Sequence, residues 1–167
     1  MGHRIVLMGV AGCGKSSVGE TLAARLGAVY VDGDELHPPE NITKMSRGEP
    51  LTDEDRWPWL TRVGRSLASA EGIRIIGCSA LKRRYRDLIR HEAVSPVVFV
   101  HLSGSRDLIA ARMAARTGHF MPTSLLDSQF AALELPEADE QAITVDIGQP
   151  LEAVVAEIAT SLEERQS

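Results

Sequence analysis

Short apolar runs and amphipathic stretches alternate along the whole chain. "RIVLM" (Arg4–Met8) is apolar after its first residue and runs into a glycine, the pattern of a buried strand. "KSSVGETLAARL" (Lys15–Leu26) spaces Val18, Leu22 and Leu26 four apart with Gly27 behind them, predicting an amphipathic helix with a glycine stop. "AVYVD" (Ala28–Asp32) predicts a second strand, followed by a polar stretch with a short helix around Asn41–Arg47. Thr52 with Asp55 three residues later is a capping-box pattern, and Asp53, Glu54 and Asp55 suit the positive end of a helix dipole. That helix is expected to run to about Ala70, with Pro58 near its first turn. "IRIIGC" (Ile73–Cys78) is the third strand, Lys82–His91 a basic helix, "VVFVHL" (Val97–Leu102) the fourth strand, and Ser105–Arg116 a helix. Gly118 and Pro122 interrupt the pattern, and "LLDSQFAALE" reads as helical again. "AITVDI" (Ala142–Ile147) is the fifth strand, and Pro150 opens a last helix with Leu151, Val154, Val155, Ile158 and Leu162 on one face.

Alternating strands and helices predict an α/β fold: a parallel sheet, right-handed crossovers and helices on both faces, three layers in all. With 167 residues, no repeat and no linker, a single domain over 1–167 is expected, and 117–136 reads as an insertion over a site. A net charge of −5 disfavours a nucleic-acid partner, while leaving room for a small anion in a local basic pocket. No apolar run is long enough to span a membrane and the N-terminus has no leader pattern, so no membrane partner and a cytoplasmic location are expected. Cys13 and Cys78 are too few for a thiolate cluster or a disulfide framework, and the histidines lack metal-ligand spacing.

"GVAGCGKS" (Gly9–Ser16) matches G-x-x-x-x-G-K-S between a predicted strand and a predicted helix, the context that this phosphate-binding motif requires. Its glycines let backbone N–H groups converge on an anion, and the helix N-terminus adds partial positive charge. Gly9, Val10, Ala11, Gly12, Cys13, Gly14, Lys15, Ser16 and Ser17 are therefore the candidate cradle for a purine nucleoside triphosphate, with Lys15 reaching the β/γ-phosphates and Ser16 able to ligate Mg²⁺. Cys13 reads as a small loop residue, not a nucleophile.

The chain has no N-K-x-D, as a GTP switch would need, and strand three ends in Cys78-Ser79 where a hydrolase would carry an acid. The acids stand instead at the end of strand two, in "VDGDELHP". Turn chemistry alone explains an Asp-Gly pair. In a doubly wound sheet, however, that strand delivers Asp32 and Asp34 to the edge that carries the phosphate loop. Asp32 is a candidate to hold Mg²⁺ through water, and Asp34 to accept the proton of an attacking hydroxyl. The missing acid on strand three favours a kinase over a hydrolase.

This combination resembles the small P-loop metabolite kinases, the shikimate and nucleoside-monophosphate kinase group. The resemblance implies a five-stranded parallel sheet, a substrate-binding segment after strand two (here 34–60) and an arginine-bearing lid after strand four (here about 112–136). Arg112 and Arg116, four apart on one helical face, are candidates to meet the nucleotide and the transferring phosphoryl group. A solvated face explains Arg112 equally well. "MGVAGCGKSSV", "DGDELHPPENITKMSRGEPLTDEDRWPWL", "CSALKRRYRDLIR", "GHFMPTSLLDSQFAALELP" and "VDIGQPLE" together resemble the gluconokinase family from Ile5 to about Glu157. That resemblance implies ATP and Mg²⁺ as cofactors, D-gluconate as acceptor and a homodimer. "DIGQP" is similar to the stretch that flanks adenine in this kinase group.

A polyol with one carboxylate needs hydrogen-bonding partners, a cation and a base near its terminal hydroxyl. His37, Asn41 and Lys44 follow Asp34; Ser79 and Lys82 lie beyond strand three, and Lys82 has phosphate oxygens as an alternative target. Arg56 and Arg86 are both candidates for the carboxylate, and the sequence does not choose between them. His119 and Gln129 are expected to reach substrate or nucleotide when the lid closes, with Phe120 and Met121 packing it. Trp57 and Trp59 read as core or wall residues, Lys82–Arg84 as a solvated helix face with one or two inward residues, and Cys78 as an inert buried thiol.

Overall fold

A sheet covered by helices on both sides must be apolar on both sides, and the first strand meets that demand residue by residue. Ile5 and Leu7 join Val18 and Leu22 on one face, while Val6 and Met8 join Leu60, Val63 and Ile89 on the other. All four strand residues are wholly buried, each worth about 1.5–3 kcal/mol of apolar burial.

The computed structural model describes residues 3–115 and 123–166. The strands are β1 (Arg4–Met8), β2 (Val29–Asp32), β3 (Arg74–Gly77), β4 (Val98–Ser103) and β5 (Ile143–Asp146). They lie in the order β2-β3-β1-β4-β5, and every neighbouring pair is parallel. The helices are α1 (Lys15–Leu26), α2 (Pro39–Ser46), α3 (Asp53–Ala68), α4 (Arg83–Ala93), α5 (Arg106–Ala114), α6 (Thr123–Ala132) and α7 (Leu151–Gln166). Residues of α1 and α7 cover one face, and residues of α3 and α4 the other. The expected three-layer P-loop kinase fold is therefore present. Because β1 is central, with β3 and β4 on either side, the loop that leaves it opens at the switch point of the sheet. Among the described residues no helix is long and apolar enough to cross a membrane.

Differences from the expected boundaries have local causes. A 3-10 turn, Gly33–Leu36, follows β2, started by Asp32 accepting from the Asp34 N–H. Helix α2 begins earlier than expected because Pro39 sits in its first turn, where a missing N–H costs nothing. Thr52 and Asp55 form the expected capping box at α3. Helices α3 and α4 approach closely at Gly64, where a Cβ would lie 2.5 Å from the Glu92 Cβ.

The basic run on α4 is ion-paired. The strap from α6 to β5 lays acids along this helix: Arg83 grips Asp139 with both terminal nitrogens, at 2.7 and 2.8 Å. Arg86 binds Glu140 with Nε and Nη2, at 2.7 and 3.1 Å, and donates from Nη1 to the Ala80 carbonyl at 2.9 Å. Arg90 adds a further bond to Glu140 at 2.8 Å. Both side chains of the Arg86–Glu140 pair are fully buried. Burial alone raises the Glu140 carboxyl, but Arg86, the Glu137 N–H and Arg90 outweigh it and hold the group at about 2, against an ordinary 4.5.

Removing one member of a buried pair strands the other charge. Glu140→Gln is expected to lower the free energy of unfolding by about 3 kcal/mol in urea at pH 7, and an Arg86→Met/Glu140→Leu double variant to recover most of that loss. Since the folded-state value is depressed, the carboxylate's contribution is complete above pH 4.5 and disappears as pH falls toward 2. The acid limb of wild-type stability is expected to flatten in Glu140→Gln.

Candidate active site

The phosphate loop forms because its backbone can turn where side chains forbid it. Gly9 leaves β1 at φ 146°, and a Cβ there would lie 2.9 Å from the Cys13 sulfur and 3.1 Å from the Leu102 carbonyl oxygen. Gly14 precedes α1 at φ 96°, with no side chain to cap the helix and no acid in its first turn. The first N–H groups of α1 are thus left for an anion. Lys15 Nζ rests on the Gly9 and Val10 carbonyls at 3.0 and 3.2 Å. Val10 and Cys13 are buried beneath the loop, and Ser17 is exposed at its rim.

The Tyr30 phenol stands beside Ser16, and its ring fits only because two neighbours are glycines. A Cβ on Gly19 would lie 2.2 Å from that ring, and one on Gly77 2.3 Å from its hydroxyl. Tyr30 was not among the sequence candidates; the paired glycines on α1 and β3 are a signal only once the strands are placed.

The ends of β2 and β3 press together, for a Cβ on Gly33 would lie 2.2 Å from the Gly77 carbonyl oxygen. This contact brings Asp32 and Asp34 to the loop. Burial, then the charge of Asp32, raise the Asp34 carboxyl above its ordinary value, with Lys15 pulling the other way. The Asp34 carboxylate and the Lys15 ammonium thus feel each other's charge across the end of the cradle. At the end of β3 the Ser79 carbonyl accepts from the Gly9 N–H at 3.1 Å, so this residue sits directly against the loop. Burial pushes the Cys78 thiol up to about 12, despite a weaker opposing hydrogen bond from the Ala80 backbone, leaving it inert.

Residues of α2, α3 and α4, with His37 ahead of them, build a polar wall. His37 is buried, stacked on Trp59 with ring centroids 4.1 Å apart. Asn41 Nδ2 donates to the Asp55 carbonyl at 2.8 Å and lies 3.1 Å from His37 Nδ1. Because that amide nitrogen only donates, Nδ1 accepts and the His37 proton sits on Nε2. Trp59 donates to the Gly33 carbonyl and so stands in the wall, as its sequence position suggested. Lys44 is paired with Asp55 at 2.7 Å. Arg56 donates from Nη1 to the Leu51 carbonyl at 2.7 Å and the Tyr85 hydroxyl at 3.3 Å, and lies over the Tyr85 ring at 5.5 Å. Lys82 and Arg84 also face that ring, at 5.8 and 5.9 Å, and Asp53 accepts from its hydroxyl. The surplus is positive, suited to a carboxylate.

Arg86 corrects an expectation. It is on the interior side of α4, fully buried, with each of its three nitrogens bonded to Glu140 or Ala80, so it is closed to an acceptor. Its partner is 54 residues away in sequence, where no local pattern reveals it. Arg56 is left as the arginine facing the wall. Arg116, His119, Phe120 and Met121 lie outside the described residues.

On the other side of the loop is a cavity of about 400 Å³, lined by Gly12, Cys13, Gly14, Ser17, Arg112, Gln149 and Pro150 among others. Arg112 donates to the Ile147 carbonyl at 2.6 Å, anchoring one edge of it. A shallower recess of about 450 Å³ on α2, lined by Lys44 and Arg47 among others, includes no residue of the loop. Among the described residues no group of three or more His, Cys, Asp or Glu is placed to hold a metal.

The loop, the acids of β2 and the cavity beyond the strand ends define a P-loop kinase domain; residues 5–136 match the AAA domain family. The thermosensitive gluconokinase of Escherichia coli (strain K12) is 51% identical over 150 residues, 87% of this chain and 80% of that protein. The thermoresistant gluconokinase of the same organism is 48% identical over 158 residues, 92% and 90% respectively. The crystal structure of a gluconokinase from Sinorhizobium meliloti 1021 superposes with a TM-score of 0.88 at 48% identity, covering 99% of this chain and 98% of that one. The chain belongs to the gluconokinase family and is an ATP-dependent kinase.

Burial, and then the Arg56 charge, push His37 down to about 4. Its ring is therefore neutral at physiological pH. In an NMR titration the His37 Cε1–H resonance is expected to stay fixed from pH 8 to about 5.5 and to move only near pH 4.

Proposed function

We propose that the protein transfers the terminal phosphoryl group of ATP to the 6-hydroxyl of D-gluconate, giving 6-phosphogluconate and ADP. Similarity to gluconokinases over most of the chain carries the choice of acceptor. The loop Gly9–Ser16 holds the phosphates, and the cavity beside Arg112 and Gln149 takes the adenine. Asp34 accepts the proton of the 6-hydroxyl as that oxygen attacks the terminal phosphorus. The bond from phosphorus to the bridging oxygen breaks, and ADP leaves with the electron pair. Lys15, with Arg116 from the lid, neutralises the charge that develops.

Ser16 and, through water, Asp32 would hold Mg²⁺; both offer the oxygen donors this ion takes. When bound, the ion supplies charge neutralisation at the phosphates. His37 Nε2–H, Ser79 and Lys82 orient the polyol, and Arg56 takes its carboxylate. The reading includes a cytoplasmic homodimer.

ADP release is to be measured with gluconate, shikimate and nucleoside monophosphates side by side. Only gluconate is expected to stimulate it; no stimulation by gluconate would sink the reading. Asp34→Asn is expected to lose roughly 10²–10⁴-fold in kcat while still binding ATP. The acid limb of the wild-type kcat profile should lie above the ordinary aspartate value of 3.8 and vanish in that variant. Arg56→Lys keeps the charge but loses the fork, and its main effect should be a KM for gluconate raised by about tenfold.

A further inference from the structure

One peptide of the phosphate loop is held from both sides. The carbonyl of Val10 accepts from Lys15 Nζ at 3.2 Å, and the N–H of Ala11, in the same peptide unit, donates to Gln129 Oε1 at 2.6 Å. Gln129 comes from α6, a helix seated by Leu126, which is buried in the same cluster as Val10 and Ile109, with Phe130 packed against it. Beyond α6 the strap is tied to the polar wall: the Glu134 N–H donates to the Leu81 carbonyl at 2.7 Å, and its carboxylate accepts from the Arg83 N–H at 3.0 Å. One segment thus touches the nucleotide loop and the start of α4.

The chemistry of the contact fixes the amide. A backbone N–H only donates, so Gln129 must turn its oxygen to Ala11, and its nitrogen, with two donors, faces away from that N–H. Lys15 marks the end of the cradle at which this happens. Its ammonium is the group that reaches the β/γ-phosphates, and it rests on the Gly9 and Val10 carbonyls beside the peptide that Gln129 holds. A glutamate could make the same bond to Ala11, but it would set a negative charge beside a phosphoryl group.

We propose that Gln129 contacts the transferring phosphoryl group: Oε1 fixes the Val10–Ala11 peptide, and Nε2–H₂ donates to the outer oxygens of the terminal phosphate. This role rests on the ATP-dependent kinase reading. It makes Gln129 a second donor beside Lys15, carried to the loop by α6.

Two variants test it, Gln129→Glu and the near-isosteric apolar Gln129→Met. Binding of ADP and of a β,γ-imido analogue of ATP is measured by calorimetry, and kcat by ADP release with gluconate. Both variants are expected to bind ADP within about twofold of wild type, to bind the analogue about tenfold more weakly, and to lose roughly 10- to 100-fold in kcat. A kcat within about threefold of wild type in both variants overturns the proposal. So does an equal loss of ADP and analogue binding, which makes Gln129 a scaffold of the loop only. Tighter analogue binding by Gln129→Met with kcat retained also overturns it, since the amide is then a plug that nucleotide displaces. If wild type shows no gluconate-dependent turnover, the acceptor reading fails, while the comparison of ADP with the analogue still decides the role of Gln129.

Discussion

The buried pair of Arg86 and Glu140 holds together more than two helices. Arg86 also supports the carbonyl of Ala80, a non-glycine residue at φ 44°, in the sparsely populated left-handed region. That turn carries the chain out of β3. It sets the Ser79 carbonyl against the Gly9 N–H, the first peptide of the phosphate loop. A path of hydrogen bonds therefore runs from a carboxylate near β5, through a guanidinium on α4 and a strained turn, to the nucleotide cradle. Each link is short and buried or half-buried, so strain at Ala80 is held in place by contacts that cannot relax independently.

The same path explains how the site handles charge. With no acid at the end of β3, Cys78 and Ser79 leave a compact uncharged corner beside the loop, and the acids enter from β2. The close passage of Gly33 and Gly77 makes this possible. Positive charge is divided by depth. Arg86 is neutralised in the interior, whereas Arg56, Lys82 and Arg84 gather around Tyr85 with only Asp53 against them.

The range of each interaction decides whether the chain alone reveals it. The phosphate loop, the capping box at Thr52 and the alternating faces of β1 are local, and local residues specify them. The role of Arg86 depended on Glu140, 54 residues on, and the seat of Gln129 on Ala11, 118 residues back. Arg56 and Arg86 look alike in sequence because both are arginines on helices flanked by acids. Only the sheet order, which puts the interior side of α4 under the strap, separates them. Tyr30 escaped notice because its fit needs glycines on two other elements.

The glycine contacts also limit how this site can change over evolutionary time. Gly33 and Gly77 leave no room for a methyl group where β2 and β3 meet, and Gly19 and Gly77 together frame Tyr30. The floor beside the phosphate loop is therefore closed to single substitutions, which would have to move backbone. The wall is not: Arg56, Lys82 and Ser79 project from helix and loop positions with side chains only partly buried. Sequence change at this end of the sheet is therefore open at the wall and closed at the floor.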